Sequence, residues 1–227
     1  MISGPYLLIL IIGVVGMIVQ ATLKSKFEKY GRIPLKAGLT GKEVAEAMLE
    51  AHGIDDVQVI STPGALTDHY NPLKKTVNLS GPVYASRSVA AAAVAAHEVG
   101  HAVQHAQGYP WLKLRSSMVP LVSFSSKLVS LLLIAGILLI QSFPQLLLAG
   151  IILFALTVVF SFITLPVEYD ASARAKKWLE QSGLVTPEEK KGVADALKWA
   201  ARTYVVAALS SLMTLLYYLN IYNSRRS

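Results

Sequence analysis

The chain has 227 residues, of which 53% are hydrophobic and 15% charged. That balance argues against an ordinary water-soluble domain and for a membrane protein. The absence of cysteine excludes disulfide frameworks and thiolate metal sites, and the net charge of +7 comes largely from basic residues flanking apolar runs. Orientation in a bilayer and contact with anionic lipid explain such placement more simply than nucleic-acid binding.

The first apolar run, Pro5 to Leu23, approaches the ~20 residues needed to cross a bilayer. It lacks a basic leader and a small-residue cleavage site, so it reads as a retained anchor. Lys24, Lys26, Lys29 and Arg32 follow it directly. Thr40 with Glu43 forms a capping-box pattern, which predicts a helix through His52 stopped by Gly53. Val44, Ala47, Met48 and Ala51 give that helix an apolar face. Val57 to Ser61 alternates as a short strand. Leu66–Tyr70 and Thr76–Ser80, joined by Asn71-Pro72-Leu73-Lys74-Lys75, predict a hairpin. Two readings stand for it: a strand beside the next helix that holds a peptide as an added strand, or a plain hairpin that caps the core. His69 and Tyr70 are candidates for stabilising an oxyanion, though a lone histidine near a turn is more often a surface residue.

Ser88 to Gln107 reads as one alanine-rich helix, uninterrupted until Gly108-Tyr109-Pro110. Within it stands His97-Glu98-Val99-Gly100-His101, an HExxH pattern. Helical residues four apart share a face, so both imidazoles can meet one metal ion, while Glu98 is turned toward a water on that metal. This is the arrangement of zinc hydrolases, with the glutamate as general base. The flanks are apolar, and burying two histidines and a glutamate without partners is costly. Arg87 and the ionisable groups from His97 onward argue that this helix is buried in protein rather than spanning a bilayer.

Further apolar runs are Val119 to Ile140, Leu146 to Leu165 and the softer Thr203 to Tyr222. Lys127, inside the second run, reads as a snorkelling side chain. Lys113 and Arg115 precede the second run, and Arg174, Lys176 and Lys177 follow the third. The Gln141–Gln145 turn has no lysine or arginine. The positive-inside rule then places both basic loops in the cytoplasm and the N-terminus outside. Arg225 and Arg226 fit poorly if the fourth run crosses, which leaves a re-entrant or interfacial segment as the alternative.

A catalytic zinc takes three protein ligands and keeps a position for water. His105 lies two turns from His97, ~12 Å at 1.5 Å per residue, too far for one ion on a continuous helix. Pro166 predicts a helix boundary at Leu165 and a new helix starting there. Glu168, in the first turn of that helix, shares a face with Ala171, Ser172 and Ala175 and is the expected third ligand. Asp170 faces elsewhere, suited to Arg174 at i+4, and is the alternative ligand if the helix starts late. Glu168 follows the apolar run by three residues, which puts the expected site close to the bilayer surface. Tyr169, Arg174 and Arg202 are further candidates for assisting an oxyanion.

Ala96 to His105, with His69-Tyr70-Asn71-Pro72, Val77-Asn78-Leu79-Ser80 and Val167 to Ser172, resembles the bacterial neutral zinc metallopeptidases of the YugP type. The similarity covers most of the chain. It implies a membrane zinc metallopeptidase with His97, His101 and a downstream glutamate as ligands and Glu98 as base. More distantly the chain is similar to HtpX-type membrane proteases. Their Glu-x-x-Ala-Asp pattern maps its glutamate onto Glu168, and Ser172 stands here where that pattern has aspartate. Asn71 stands where the YugP-type motif has aspartate.

The sequence therefore predicts a mainly α integral membrane protein of three to four transmembrane helices with a cytoplasmic zincin-like α+β catalytic region carrying a small β-hairpin. The expected segments are helices at 5–23, 119–140, 146–165 and 203–222, a catalytic region at 24–118 and a helical region at 166–202. The expected function is a gluzincin-type metalloendopeptidase of the bacterial cell membrane. It would hold one Zn2+ per chain through His97, His101 and Glu168, use Glu98 as base, act on membrane-associated proteins or peptides and contact the bilayer but no nucleic acid. The alternatives are a non-catalytic zinc-binding membrane scaffold or chaperone and an intramembrane metalloprotease.

Overall fold

The apolar runs lie on helices longer than the runs themselves. In the computed structural model, which describes residues 4–224, they are α1 (Gly4–Gly31), α5 (Pro110–Leu138), α6 (Pro144–Gln181) and α7 (Pro187–Ser224). Among the described residues these four are long and apolar enough to cross a membrane. Large apolar side chains such as Ile18, Phe124, Leu131 and Ile152 are exposed along them, as a lipid-facing surface requires. Lys127 is also exposed on α5. The fourth run is one uninterrupted stretch of α7, with no turn of the kind a re-entrant segment needs. Arg225 and Arg226 lie outside the described residues.

Between α1 and α5 the chain builds α2 (Gly41–Ala51), β1 (Gln58–Thr62), β2 (His69–Asn71), β3 (Thr76–Ser80), α3 (Gly81–Tyr84) and α4 (Val89–Ala106). The capping box forms: the Thr40 hydroxyl accepts from the Glu43 amide, and the Glu43 carboxylate accepts from the Thr40 amide. Gly53 takes a φ of +63°, the left-handed conformation that ends a helix without a Cβ clash. The hairpin pairs β2 antiparallel with β3, His69 opposite Asn78. β1 adds parallel to the other side of β3, giving the order β1-β3-β2. The Asn71 side-chain oxygen accepts from the amides of Leu73 and Lys74 and closes the turn. Aspartate offers the same acceptor, so asparagine at this position keeps the turn.

By contacts the chain divides into two units. One takes 4–18, 113–165 and 203–224 of the described residues; the other takes 19–112 and 166–202. In the first, a Cβ on Gly136 would lie 2.4 Å from the Leu147 Cα, so α5 and α6 meet backbone to backbone there. Val129, Leu133, Leu147 and Ile151 form its core, with Tyr218 and Tyr222 of α7 packed against them. In the second, the alanines of α4 are buried on nearly every side, against α2, α3, β2 and β3. Thr186 and Glu189 cap α7, and the buried Glu189 carboxylate also accepts from the Lys36 amide at 2.7 Å, tying α7 to the segment after α1.

The boundary expected at Pro166 is not there: α6 runs through it from Pro144 to Gln181. A proline inside a helix costs about 3 kcal/mol. The following residues outweigh it, because Val167, Ala171, Ala175 and Leu179 recur on one face and are all fully buried. Glu168 is consequently a mid-helix residue rather than a first-turn carboxylate.

Leu79, wholly buried in the central strand, tests the core of the second unit. Leu79→Ala should destabilise it by about 2–5 kcal/mol. The check is the thermal midpoint of the purified protein in detergent, and an unchanged midpoint would contradict the packing described.

Candidate metal centre

Alanine dominates α4 because neighbouring elements press against it from several sides, and a small side chain lets them approach. Ser88 caps its first turn by accepting from the Ala91 amide. His97 and His101 follow on one face, their rings edge to face with centroids 4.8 Å apart. α6 brings Glu168 to them. Its Oε2 lies 3.3 Å from His97 Nε2 and 3.6 Å from His101 Nε2. Glu168 is 2% exposed.

Gly100 makes this approach possible. A Cβ there would lie 2.6 Å from the Ala171 carbonyl oxygen and 3.1 Å from the Ala171 Cα. The two helices therefore cross in contact at Gly100 and Ala171, and Glu168, one turn before Ala171, reaches the histidine face.

The rings are held from behind. Ser172 Oγ lies 3.1 Å from His97 Nδ1, so the serine occupies the supporting position toward that ring. Gln104 Oε1 lies 3.0 Å from His101 Nδ1. Gln104 Nε2 donates to the Val167 carbonyl and to Asp170 Oδ2, each at 2.8 Å. Arg174 Nε donates to the same Asp170 oxygen at 2.5 Å, and its Nη1 donates to Gln107 Oε1 at 2.6 Å. Asp170 thus pairs with Arg174 and takes no place among the three donors. Gln104 and Gly100 did not stand out in the sequence. The available signal for Gln104 was spacing: it lies seven residues after His97 and three after His101, on their face of the helix.

Burial opposes the protonated form of His101. The hydrogen bond and charge of Glu168, with Glu98 and Gln104, outweigh it, so its pKa is raised above the ordinary histidine value. Glu98, adjacent to His97, is 8% exposed. His105 is outside the cluster; its Nδ1 meets the Tyr70 hydroxyl at 2.8 Å. Tyr169 is exposed, and Arg202 stacks on Trp199 with its guanidinium carbon 4.1 Å from the ring centroid.

His97, His101 and Glu168 together could hold a metal ion, their ligand atoms lying within 4.8 Å of one another. The donor set fits zinc. Arms of about 2.0–2.1 Å meeting tetrahedrally end roughly 3.3 Å apart, close to both histidine–carboxylate separations. Three such donors leave a fourth position for water or substrate.

The chain thus combines a His–His–Glu set able to hold a metal ion with four helices long and apolar enough to cross a membrane. The chain belongs to the family described as "Putative neutral zinc metallopeptidase", whose model matches residues 5–223. It is 45% identical over 207 residues, 91% of each chain, to "Putative membrane protease YugP" of Bacillus subtilis (strain 168). No solved structure matches it.

Glu168→Gln should weaken zinc binding strongly while His105→Ala leaves it unchanged; a chelator competition giving the reverse ranking would contradict the donor set. Gly100→Ala should force the helices apart and lower zinc affinity about 10–100-fold, the equivalent of 1–3 kcal/mol of overpacking. Binding requires the neutral imidazole, so a raised His101 pKa makes zinc compete with a proton. Affinity should therefore fall as pH drops from about 8 to about 6. Titration in buffers of different ionisation heat should show proton release, and a pH-independent affinity would contradict the assignment.

Proposed function

We propose that the protein is a membrane-bound zinc-dependent metalloendopeptidase, hydrolysing peptide bonds at the cytoplasmic face with one zinc per chain. The observation that carries this reading is the three-donor cluster with the buried Glu98 adjacent to it on α4. A structural zinc site is closed by four protein ligands, and three suit a catalytic one.

His97, His101 and Glu168 are the residues that would hold the metal. Zinc, when bound, supplies a Lewis acid for the scissile carbonyl and for water. The Glu98 carboxylate takes the proton of the attacking water and delivers it to the leaving amine nitrogen. The crossing at Gly100 and the buried side chains around it restrict water, which strengthens the electrostatics of that transfer. β2 is an edge strand and packs on α4. A substrate segment added along β2 would be held through its main chain, with little demand on its sequence. Glu168 follows the apolar run by three residues on the same helix, which favours membrane-anchored or misfolded membrane proteins as substrates.

The cytoplasmic orientation rests on the basic residues of the two loops. The chain has no native cysteine, so Ala85→Cys, at an exposed position, gives a single label. It should resist an impermeant thiol reagent in intact cells and react after lysis; labelling in intact cells would reverse the orientation.

Glu98→Gln should retain zinc and lose peptide cleavage by about 100-fold or more, since only the proton acceptor is removed. Cleavage by purified wild-type protein should also stop with a chelator. A Glu98→Gln variant cleaving at the wild-type rate would remove the proposed base.

A further inference from the structure

Gln104 has three fixed partners, and together they dictate the proton on its neighbour. Its side chain is wholly buried, 0% exposed, one turn beyond His101. A primary amide offers two N–H donors at Nε2 and an acceptor at Oε1. The Nε2 side faces the Val167 carbonyl and the Asp170 carboxylate. A carbonyl and a carboxylate both accept, so reversing the amide would set its oxygen against two acceptors. Oε1 must therefore face His101, and it can only accept there. A proton therefore belongs on His101 Nδ1, which makes Nε2, on the side of Glu168 and His97, the ring nitrogen available to a metal. The opposite tautomer would bury two opposed acceptors and aim an N–H at the metal position.

We infer that Gln104 is a positioning residue that fixes His101 in the tautomer able to bind a metal through Nε2. Asp170 and Arg174 orient it from α6. The two histidines differ in this respect. His97 Nδ1 faces the Ser172 hydroxyl, which can donate or accept and so selects no tautomer. Arg174 extends the device: it bonds Asp170 on its own helix and Gln107 at the end of α4, anchoring the acceptor that orients the amide. The inference rests on the metal reading above for its purpose but not for its geometry. The hydrogen-bond pattern alone specifies the proton on Nδ1.

The test uses the full chain in detergent with 15N-labelled histidine. In wild-type protein His101 Nδ1 should carry a proton, both in the zinc-loaded protein and after chelator treatment. Gln104→Met keeps the length and removes the acceptor, so the Nε2–H tautomer should appear. Zinc affinity, from chelator competition, should fall about 10–100-fold, the usual cost of removing a partner behind a metal-bound histidine. Asp170→Ala, at a half-buried position, should shift the same signals less, because Val167 still orients the amide; it serves if Gln104→Met does not fold. A merely structural role would lower the thermal midpoint without changing the tautomer. An unchanged tautomer and unchanged zinc affinity in a folded variant would overturn the inference while leaving the three-donor site intact. Wild-type protein that shows the tautomer but binds no zinc would overturn the metal reading and leave the assignment of Gln104 standing.

Discussion

The site depends on one close approach. α4 and α6 meet at Gly100 over Ala171, with room for a hydrogen and not for a methyl group. Two donors come from one helix and the third from a helix more than sixty residues further along the chain. Side chains cannot make up for a helix held away from its partner, so the backbone separation sets the geometry of all three donors. The small residues Ala171 and Ala175 and the alanine surface of α4 serve the same end. This helix pair has been packed for proximity at the expense of side-chain bulk.

Burying polar groups at such a crossing is costly unless each has partners. Here the partners are connected: His97 to Ser172, His101 to Gln104, Gln104 to Val167 and Asp170, Asp170 to Arg174, Arg174 to Gln107. Most of these bonds link α4 to α6. They hold the two helices in the same register that lets Glu168 reach the histidines, so the network and the close approach reinforce one another. The same packing explains why α6 continues through Pro166. The face that carries Glu168 is buried over several turns, and leaving the helix there would expose it.

Much of this was legible in the sequence, for identifiable reasons. The HExxH pattern lies on an uninterrupted alanine-rich helix, and helical spacing alone puts His97 and His101 on one face. Glu168 could be chosen because its face carries Ala171, Ser172 and Ala175, and the structure brings those residues against α4. The capping box at Thr40 and Glu43 and the hairpin around Asn71 rest on local chemistry, which sequence reports well. What sequence did not report is tertiary. Pro166 is locally a helix breaker, and only the buried face beyond it overrides that preference. The parallel addition of β1 to β3 is a non-local pairing with no short-range signature. Ser172 read as a departure from a carboxylate pattern, yet its hydroxyl reaches His97. Gln104 has no local signature, and its role comes from three partners, two of them on α6.

The chain's family is described as "Putative neutral zinc metallopeptidase", and the His97, His101 and Glu168 cluster is compatible with the metal in that description. The His97–His101–Glu168 centre is defined by the atoms that would surround the metal. X-ray absorption at the zinc edge of the purified, zinc-loaded protein measures them directly. It should find nitrogen and oxygen neighbours only, at about 2.0–2.1 Å, with multiple scattering from two imidazoles and one position filled by a non-protein ligand. A third imidazole, or zinc bound with fewer than two, would contradict the His97–His101–Glu168 centre.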